Sequence, residues 1–344
     1  MKIVLLGDEG SERTLFFKKA AKELGKEVRF IQFDAMSKLT PEAIELLSHG
    51  DCAVKIDPPW VSAGIESTYV YKIDYHNKAY KQILHELDTF DNLNFLNTGH
   101  SIASVLDKVR CKNQLISANI ATTPLICGDY KNYEELKYSL KSISKHSVFI
   151  KPCNGAGAGG VMAYRINPGT GASILFTSAK LINGRLCNTR RLQKLTNEIE
   201  IEAYINKLLC LDVIIEGWIP KSKYNGKFYD LRVVFQFGRI AFIVARQSKG
   251  PITNLHLNND AISVEELNLP IGKLEEIEEL CKSAISLFPG LNCVGIDVLL
   301  TPDSLKPYII EINGQGDLIY RDIFGENRIY REQIEYLQKI DNTT

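Results

Sequence analysis

Residues 293–300 read Cys-Val-Gly-Ile-Asp-Val-Leu-Leu, and residues 307–313 read Pro-Tyr-Ile-Ile-Glu-Ile-Asn. Between them, Thr301-Pro302-Asp303-Ser304-Leu305-Lys306 is a turn by composition. Closing this stretch as an antiparallel hairpin about 303–305 sets Asp297 opposite Glu311. Asn313, two residues on, shares Glu311's face. Val294, Ile296 and Val298 point the other way, as do Ile310 and Ile312. Like charges directly opposite on a sheet repel, and a buried carboxylate pair is costlier still unless something neutralises it. A hard divalent cation would do so, since Mg²⁺ takes carboxylate and amide oxygens and bridges substrate phosphates. The plainer alternative is a strand pair with two solvated acids, and the hairpin alone leaves both open.

Working outward, 274–287 is an amphipathic helix leading into this hairpin, and 250–262 reads as a loop. Residues 229–247 form a strand pair turning near Gly238. Residues 212–216 are an apolar strand, 197–209 a helix and 169–188 a hairpin. Residues 151–160, Lys-Pro-Cys-Asn-Gly-Ala-Gly-Ala-Gly-Gly, lie between strands at 147–152 and 161–166. Gly155, Gly157 and Gly160 formally satisfy G-x-G-x-x-G, but a strand follows where a dinucleotide site needs a helix. No Lys-Ser/Thr follows either, as a Walker-type P-loop requires. Small residues still let backbone N–H groups approach phosphate oxygens, with Lys151 as a point charge beside them. A lid over nucleotide is one reading and a flexible surface hairpin the other. As part of such a lid, Cys153 is expected in an electropositive setting that favours thiolate.

Helices are expected over 102–119 and 134–143. The chain opens as strand 2–6, turn, helix 12–24 with Leu15, Phe16, Ala20 and Leu24 on one face, then strand 27–33. That pattern implies a parallel α/β unit. Its turn is Gly7-Asp-Glu-Gly10, which does not suit a dinucleotide. A strand is expected at 52–56, Pro58-Pro59-Trp60 and Gly64 mark a loop, 74–90 is helical in pattern, and the first domain closes near residue 100.

The 344 residues accommodate two or three domains. Lys plus Arg and Asp plus Glu are both 41, which argues against a general nucleic-acid or anionic-membrane binder. No apolar run is long enough to span a membrane, and the N-terminus is too soon charged for a signal peptide. The eight cysteines have no C-x-x-C spacing and the six histidines are scattered. Reduced thiols in a cytoplasmic protein are expected, without a zinc site.

Asp107-Lys108 precedes Ile120-Ala-Thr-Thr-Pro124; Ile214-Ile-Glu-Gly-Trp-Ile-Pro220, Asp230-Leu-Arg232, Arg246 and Thr253-Asn254-Leu255 follow in order. Together with the glycine loop and the acidic hairpin, over roughly 102–318, this series resembles the ATP-grasp superfamily. Within it, the likeness is to the glutathione-synthetase and RimK-type carboxylate–amine ligases. The resemblance implies an α/β chain with an N-terminal α/β domain (1–100) and a two-lobed α+β ATP-grasp fold. Its small lobe (101–209) would carry the glycine-rich loop and its C-terminal lobe (210–344) the metal site.

The resemblance places ATP against Lys108, Lys151, Gly155, Gly157, Gly159, Gly160 and the adenine hinge Glu216, Gly217, Trp218, Ile219, with Asp230 near the ribose. It gives Arg246, Arg232 and Asn254 catalytic positions and makes Asp297, Glu311 and Asn313 the Mg²⁺ ligands. It implies an ADP-forming amide ligase working through an acyl phosphate on carboxylate and amine substrates, small molecules or peptides. A homodimer is compatible with it. A phosphotransferase or a non-catalytic ATP-binding scaffold on the same fold are the alternatives. Among plainer roles, Trp218 would be a core aromatic, Asp230 and Arg232 would pair with each other, and Lys108 would be a solvated charge. Family members usually show a small-Pro-Gly turn after the metal asparagine; here it is Gly314-Gln315-Gly316-Asp317.

Overall fold

The computed structural model describes residues 2–33, 39–49, 51–59, 68–155 and 157–340. Trp60, Gly64 and Ala156 therefore lie outside the described residues. The chain opens with β1 (Lys2–Gly7), α1 (Glu12–Glu23), β2 (Val28–Gln32), α2 (Pro41–Ser48), β3 (Cys52–Ile56), α3 (Val70–Leu87) and β4 (Leu93–Phe95). The strands are parallel in the order β2-β1-β3-β4, as the opening pattern requires. Ser11 caps α1 through its side chain, and α1 buries Thr14, Phe17, Ala20 and Ala21. Of the expected face, Ala20 is buried and Phe16 and Leu24 pack against the same core, but Leu15 is 54% exposed and Phe17 is buried in its place. Phe17 wins because it meets Tyr330 from the far end of the chain, a partner no local pattern shows.

Two helices, α4 (Gly99–Leu106) and α5 (Lys108–Ser117), occupy the span expected as one. The break is at Asp107, which is extended and accepts a hydrogen bond from the Arg110 N–H at 3.0 Å, so it caps a new helix. Next come α6 (Tyr133–Ser142), β5 (Ser147–Pro152), β6 (Met162–Ile166), β7 (Ser173–Ile182), β8 (Arg185–Leu195), α7 (Glu198–Leu208) and β9 (Val213–Gly217). The sheet runs β8-β7-β6-β5-β9 with α6 and α7 packed on one face.

The last part comprises β10 (Lys223–Tyr224), β11 (Lys227–Gln236), β12 (Arg239–Ser248), β13 (Asp260–Ser263), α8 (Lys273–Ile285), β14 (Cys293–Leu300), β15 (Pro307–Asn313), α9 (Tyr320–Ile323) and α10 (Arg328–Lys339). Its sheet runs β13-β12-β11-β14-β15, with β10 on β11. The span expected as a loop at 250–262 thus holds a 3₁₀ turn, Leu255–Leu257, and the start of edge strand β13. The terminal helix α10 turns Ile329, Tyr330, Ile334 and Leu337 onto α1 and the first sheet. No described helix is long and apolar enough to cross a membrane.

Candidate active site

Asp297 stands directly opposite Glu311, as expected from the turn, but the register shifts beside them. Val298 pairs with Ile309, so Ile310 is an extra residue on β15. This bulge corrects one expectation. Ile310 does not point away with Ile312; it lines the same cavity as Glu311.

The charges form a row across the sheet. Arg246 on β12 pairs with Asp230 on β11, Arg232 on β11 with Asp297 on β14, and Asp297 with Glu311 on β15. Arg246 Nε donates to Asp230 Oδ1 at 2.8 Å, and its Nη2 lies 3.1 Å from Asp297 Oδ2. Asp230 and Arg232 therefore pair across strands and not with each other. Lys221, which no sequence motif singles out, donates to Asp230 Oδ2 at 2.9 Å and to Thr253 Oγ1 at 2.7 Å. Burial opposes ionisation of Asp230, yet Arg246 and Lys221 hold its carboxyl well below the usual range.

On the facing sheet, Lys151 Nζ donates to Glu216 Oε2 at 2.6 Å. Lys112, also unanticipated, lies 3.4 Å from Glu216 Oε1 and donates to Thr122, Thr123 and the Ile310 carbonyl. Glu216 is thus held between two lysines. Lys108 is not a solvated charge: its Nζ donates to Glu311 Oε1 at 2.6 Å and to the Gly155 carbonyl at 3.0 Å. Burial would raise the Glu311 pKa, but Lys108 and Lys151 bring it down to about 2. The carboxylate partners of Lys112 and Lys221 lie on β9 and β11, so no local sequence signal marks either lysine.

The row faces two adjoining cavities. One, of about 90 Å³, is an apolar slot of Phe149, Val161, Ile219, Ile252, Leu299 and Ile310, with Glu216, Gly217, Asp230 and Arg246 along it. The other, of about 240 Å³, is polar and holds Lys108, Gly155, Gly157, Gly159, Arg232 and Asn313. Lys151, Asn254, Asp297 and Glu311 line both.

Two expected contacts are missing. Gly160 is in neither lining: its φ is +74°, and a Cβ there would lie 2.7 Å from Val70 Cγ1, so it serves the turn and its packing. Trp218 is also outside; its ring packs on Phe149 and under the Arg165 guanidinium. Cys153 is buried. Burial, then Asp107, Asp212 and Asp74, push its thiol up to about 11, which reverses the thiolate expectation. All eight cysteines are free.

Asp297, Glu311 and Asn313 fit a magnesium ion. Arg232 Nε lies 3.2 Å from Asp297 Oδ1, within ion-pair reach, yet that buried oxygen accepts no hydrogen bond among the described residues. No three His, Cys, Asp or Glu side chains converge among them. Two carboxylates and an amide fall short of a complete protein cage, as suits Mg²⁺ that completes its shell with water and substrate phosphate.

Gly295, opposite Asn313, sets the fit of this row. A Cβ there would lie 2.4 Å from the Gly316 carbonyl and 2.6 Å from Arg232 Nη1. Gly295→Ala is therefore expected to destabilise the protein by about 1–3 kcal/mol and to displace Arg232. Melting temperature read beside ADP release checks this; an unchanged melting temperature would show that the 314–317 turn moves aside freely.

No protein-family model and no curated protein matches the chain. Solved structures do. D-cycloserine synthetase DcsG superposes with a TM-score of 0.63 at 12% identity, over 98% of this chain and 100% of that one. The ATP-grasp ligase PsnB, complexed with a minimal precursor, Mg and ADP, gives 0.55 at 12% identity over 98% of both chains. The chain has the ATP-grasp fold. N5-carboxyaminoimidazole synthetase from Staphylococcus aureus, complexed with ADP, gives 0.60 at 12% identity over 97% of this chain and 76% of that one.

Proposed function

We propose that the protein is an ATP-dependent carboxylate–amine ligase that forms an amide through an acyl phosphate and releases ADP and phosphate. The observation that carries this reading is the pair of joined cavities. An apolar slot beside a more polar chamber, with Lys151, Asn254, Asp297 and Glu311 common to both, suits a purine at one end and phosphates at the other. Six cations (Lys108, Lys112, Lys151, Lys221, Arg232, Arg246) surround four carboxylates (Glu216, Asp230, Asp297, Glu311), so the site carries a positive surplus for a polyanion. Similar folds complexed with ADP support the same nucleotide.

In this reading the substrate carboxylate attacks the γ-phosphorus of ATP and ADP leaves. The amine then attacks the acyl carbon, loses a proton, and phosphate departs. Lys108 and Lys151, which line the chamber, position the phosphates and offset the charge that develops on them, while Arg246, on the slot side, would meet the transferred phosphoryl group at the junction beside Asp297. Arg232 and Arg246 hold Asp297 in place. Asp297, Glu311 and Asn313 would hold Mg²⁺, which when bound neutralises phosphate charge. No covalent nucleophile is needed.

Incubation with Mg²⁺, ATP and a host-cell extract tests the reading. ADP and inorganic phosphate should appear in equal amounts, with a new species equal in mass to two extract components less water. ADP with a phosphorylated product and no inorganic phosphate would make the protein a phosphotransferase.

A further inference from the structure

The polar cavity has a second wall, apart from the residues assigned above to the nucleotide. It is built from the first unit and the turn after β15: Arg13, Pro58, Asn77, Tyr80 and Gln315. In the order β2-β1-β3-β4 the connections leave β1 and β3 in opposite directions, and Arg13 and Pro58 follow those two strands. Such a switch point, at the carboxyl ends of parallel strands, is where open α/β sheets bind ligands.

Arg13 is held there as a fixed fork. It is paired with Asp317, which is 2% exposed. Lys55 Nζ, at 3.1 Å, and Gln333 Nε2, at 3.2 Å, hold that carboxylate from other sides. The two amides of the wall are oriented as well. Gln315 Nε2 donates to the Ile56 carbonyl and to Tyr80 Oη, both at 2.7 Å, and Asn77 Nδ2 donates to the Asn154 carbonyl at 2.6 Å. With their nitrogens committed to oxygens of the protein, the amides bring acceptor oxygens to this wall. One fixed guanidinium and two acceptors make a site for a zwitterion.

We infer that Arg13 grips a carboxylate that does not react, on a small free amino acid that serves as the amine substrate and whose amino group faces the Asn77 and Gln315 oxygens before it attacks the acyl carbon. The same chamber takes the phosphates in the ligase reading, so the room left beside Arg13 suits only a small molecule. This deepens the ligase reading and rests on it. Asp317 is the positioning residue that aims Arg13. The turn that departs from the family pattern, 314–317, thereby acquires a role, since it carries both Gln315 and the carboxylate that fixes Arg13.

The test uses the whole chain with Mg²⁺, ATP and a host-cell extract depleted of free amino acids to supply the reacting carboxylate, together with a panel of L- and D-amino acids and the carboxamide of each. At least one amino acid should accelerate ADP release, and its carboxamide should not. R13M should raise the KM for that amino acid by about 10–100-fold, the worth of a charge-assisted fork, with kcat changed less than ~3-fold. Its affinity for Mg·AMPPNP should stay as in the parent, because Lys55 still neutralises Asp317 and the nucleotide residues are untouched. R13K, which keeps the charge without the fork, should fall between the two, and D317N should raise KM by loosening Arg13. An unchanged KM in R13M overturns the inference, and should R13M not fold, an unchanged KM in R13K does the same. A panel with no active member, in protein that binds Mg·AMPPNP, also overturns it and leaves the nucleotide reading standing. Parent protein that fails to bind Mg·AMPPNP sinks the nucleotide reading itself.

Discussion

Glu311→Gln is expected to lower Mg²⁺-dependent ADP release by about 10²–10³-fold, the usual effect of removing one electrostatic group from a preorganised site. The fold should survive, since the amide is nearly isosteric with the carboxylate. Two observations motivate the size. Glu311 stands opposite Asp297, so its charge is half of an acidic pair that only a cation makes favourable. Lys108, at 2.6 Å, fills that need together with the neighbouring arginines. In the proposed ligase Lys108 would turn to phosphate and Mg²⁺ would replace it at Glu311, a place that a neutral amide would hold less well. The check is ADP release as a function of Mg²⁺ concentration, beside a melting curve. Unchanged turnover at saturating Mg²⁺ with an intact fold would take the hairpin out of the site.

The acidic hairpin is legible in the sequence because its information is local. Strand alternation places Asp297, Glu311 and Asn313 whatever the rest of the chain does, and the turn residues set the pairing. Even there, the bulge at Ile310 is hidden. A one-residue offset near the turn is compatible with either strand's pattern, and only packing in the slot selects it. The glycine loop and Lys151 are legible for the same local reason. Lys112, Lys221 and Arg13 are not, because each is defined by a carboxylate or hydroxyl on another element: Lys112 by Glu216, Lys221 by Asp230 and Thr253, Arg13 by Asp317. Cys153 misleads because its neighbours in sequence are Lys151 and glycines, whereas its neighbours in space include Asp74, Asp107 and Asp212. The break at Asp107 is of the other kind. An aspartate followed three residues later by an arginine fits both a continuing helix and a capped new one, and the tertiary need to aim Lys108 at Glu311 decides.

Arg246→Lys should lower kcat by ~10²-fold or more while changing ATP affinity little, because a contact made chiefly in the transition state is read in kcat. The structure gives this a sharper basis than sequence could. Arg246 is 4% exposed, and its planar fork reaches Asp230 through Nε and Asp297 through Nη2. A lysine can satisfy one of these carboxylates but not hold both in register. Losing the grip on Asp297 would disturb a residue proposed to hold Mg²⁺; losing Asp230 would free a carboxylate beside Lys221. Removing the charge altogether is the poorer experiment. Breaking a buried pair costs about 3–5 kcal/mol, so a neutral variant mixes misfolding with lost chemistry, whereas lysine keeps the net charge. A surface ion pair, worth under about 1 kcal/mol, is no longer an alternative at this burial. Calorimetric titration of ATP beside steady-state ADP release decides. Loss of affinity in proportion to loss of rate would make Arg246 a nucleotide anchor, and retention of both would reduce it to a strut between two strands. A fall in kcat alone would place its charge on the phosphoryl group as that group moves from ATP to the carboxylate.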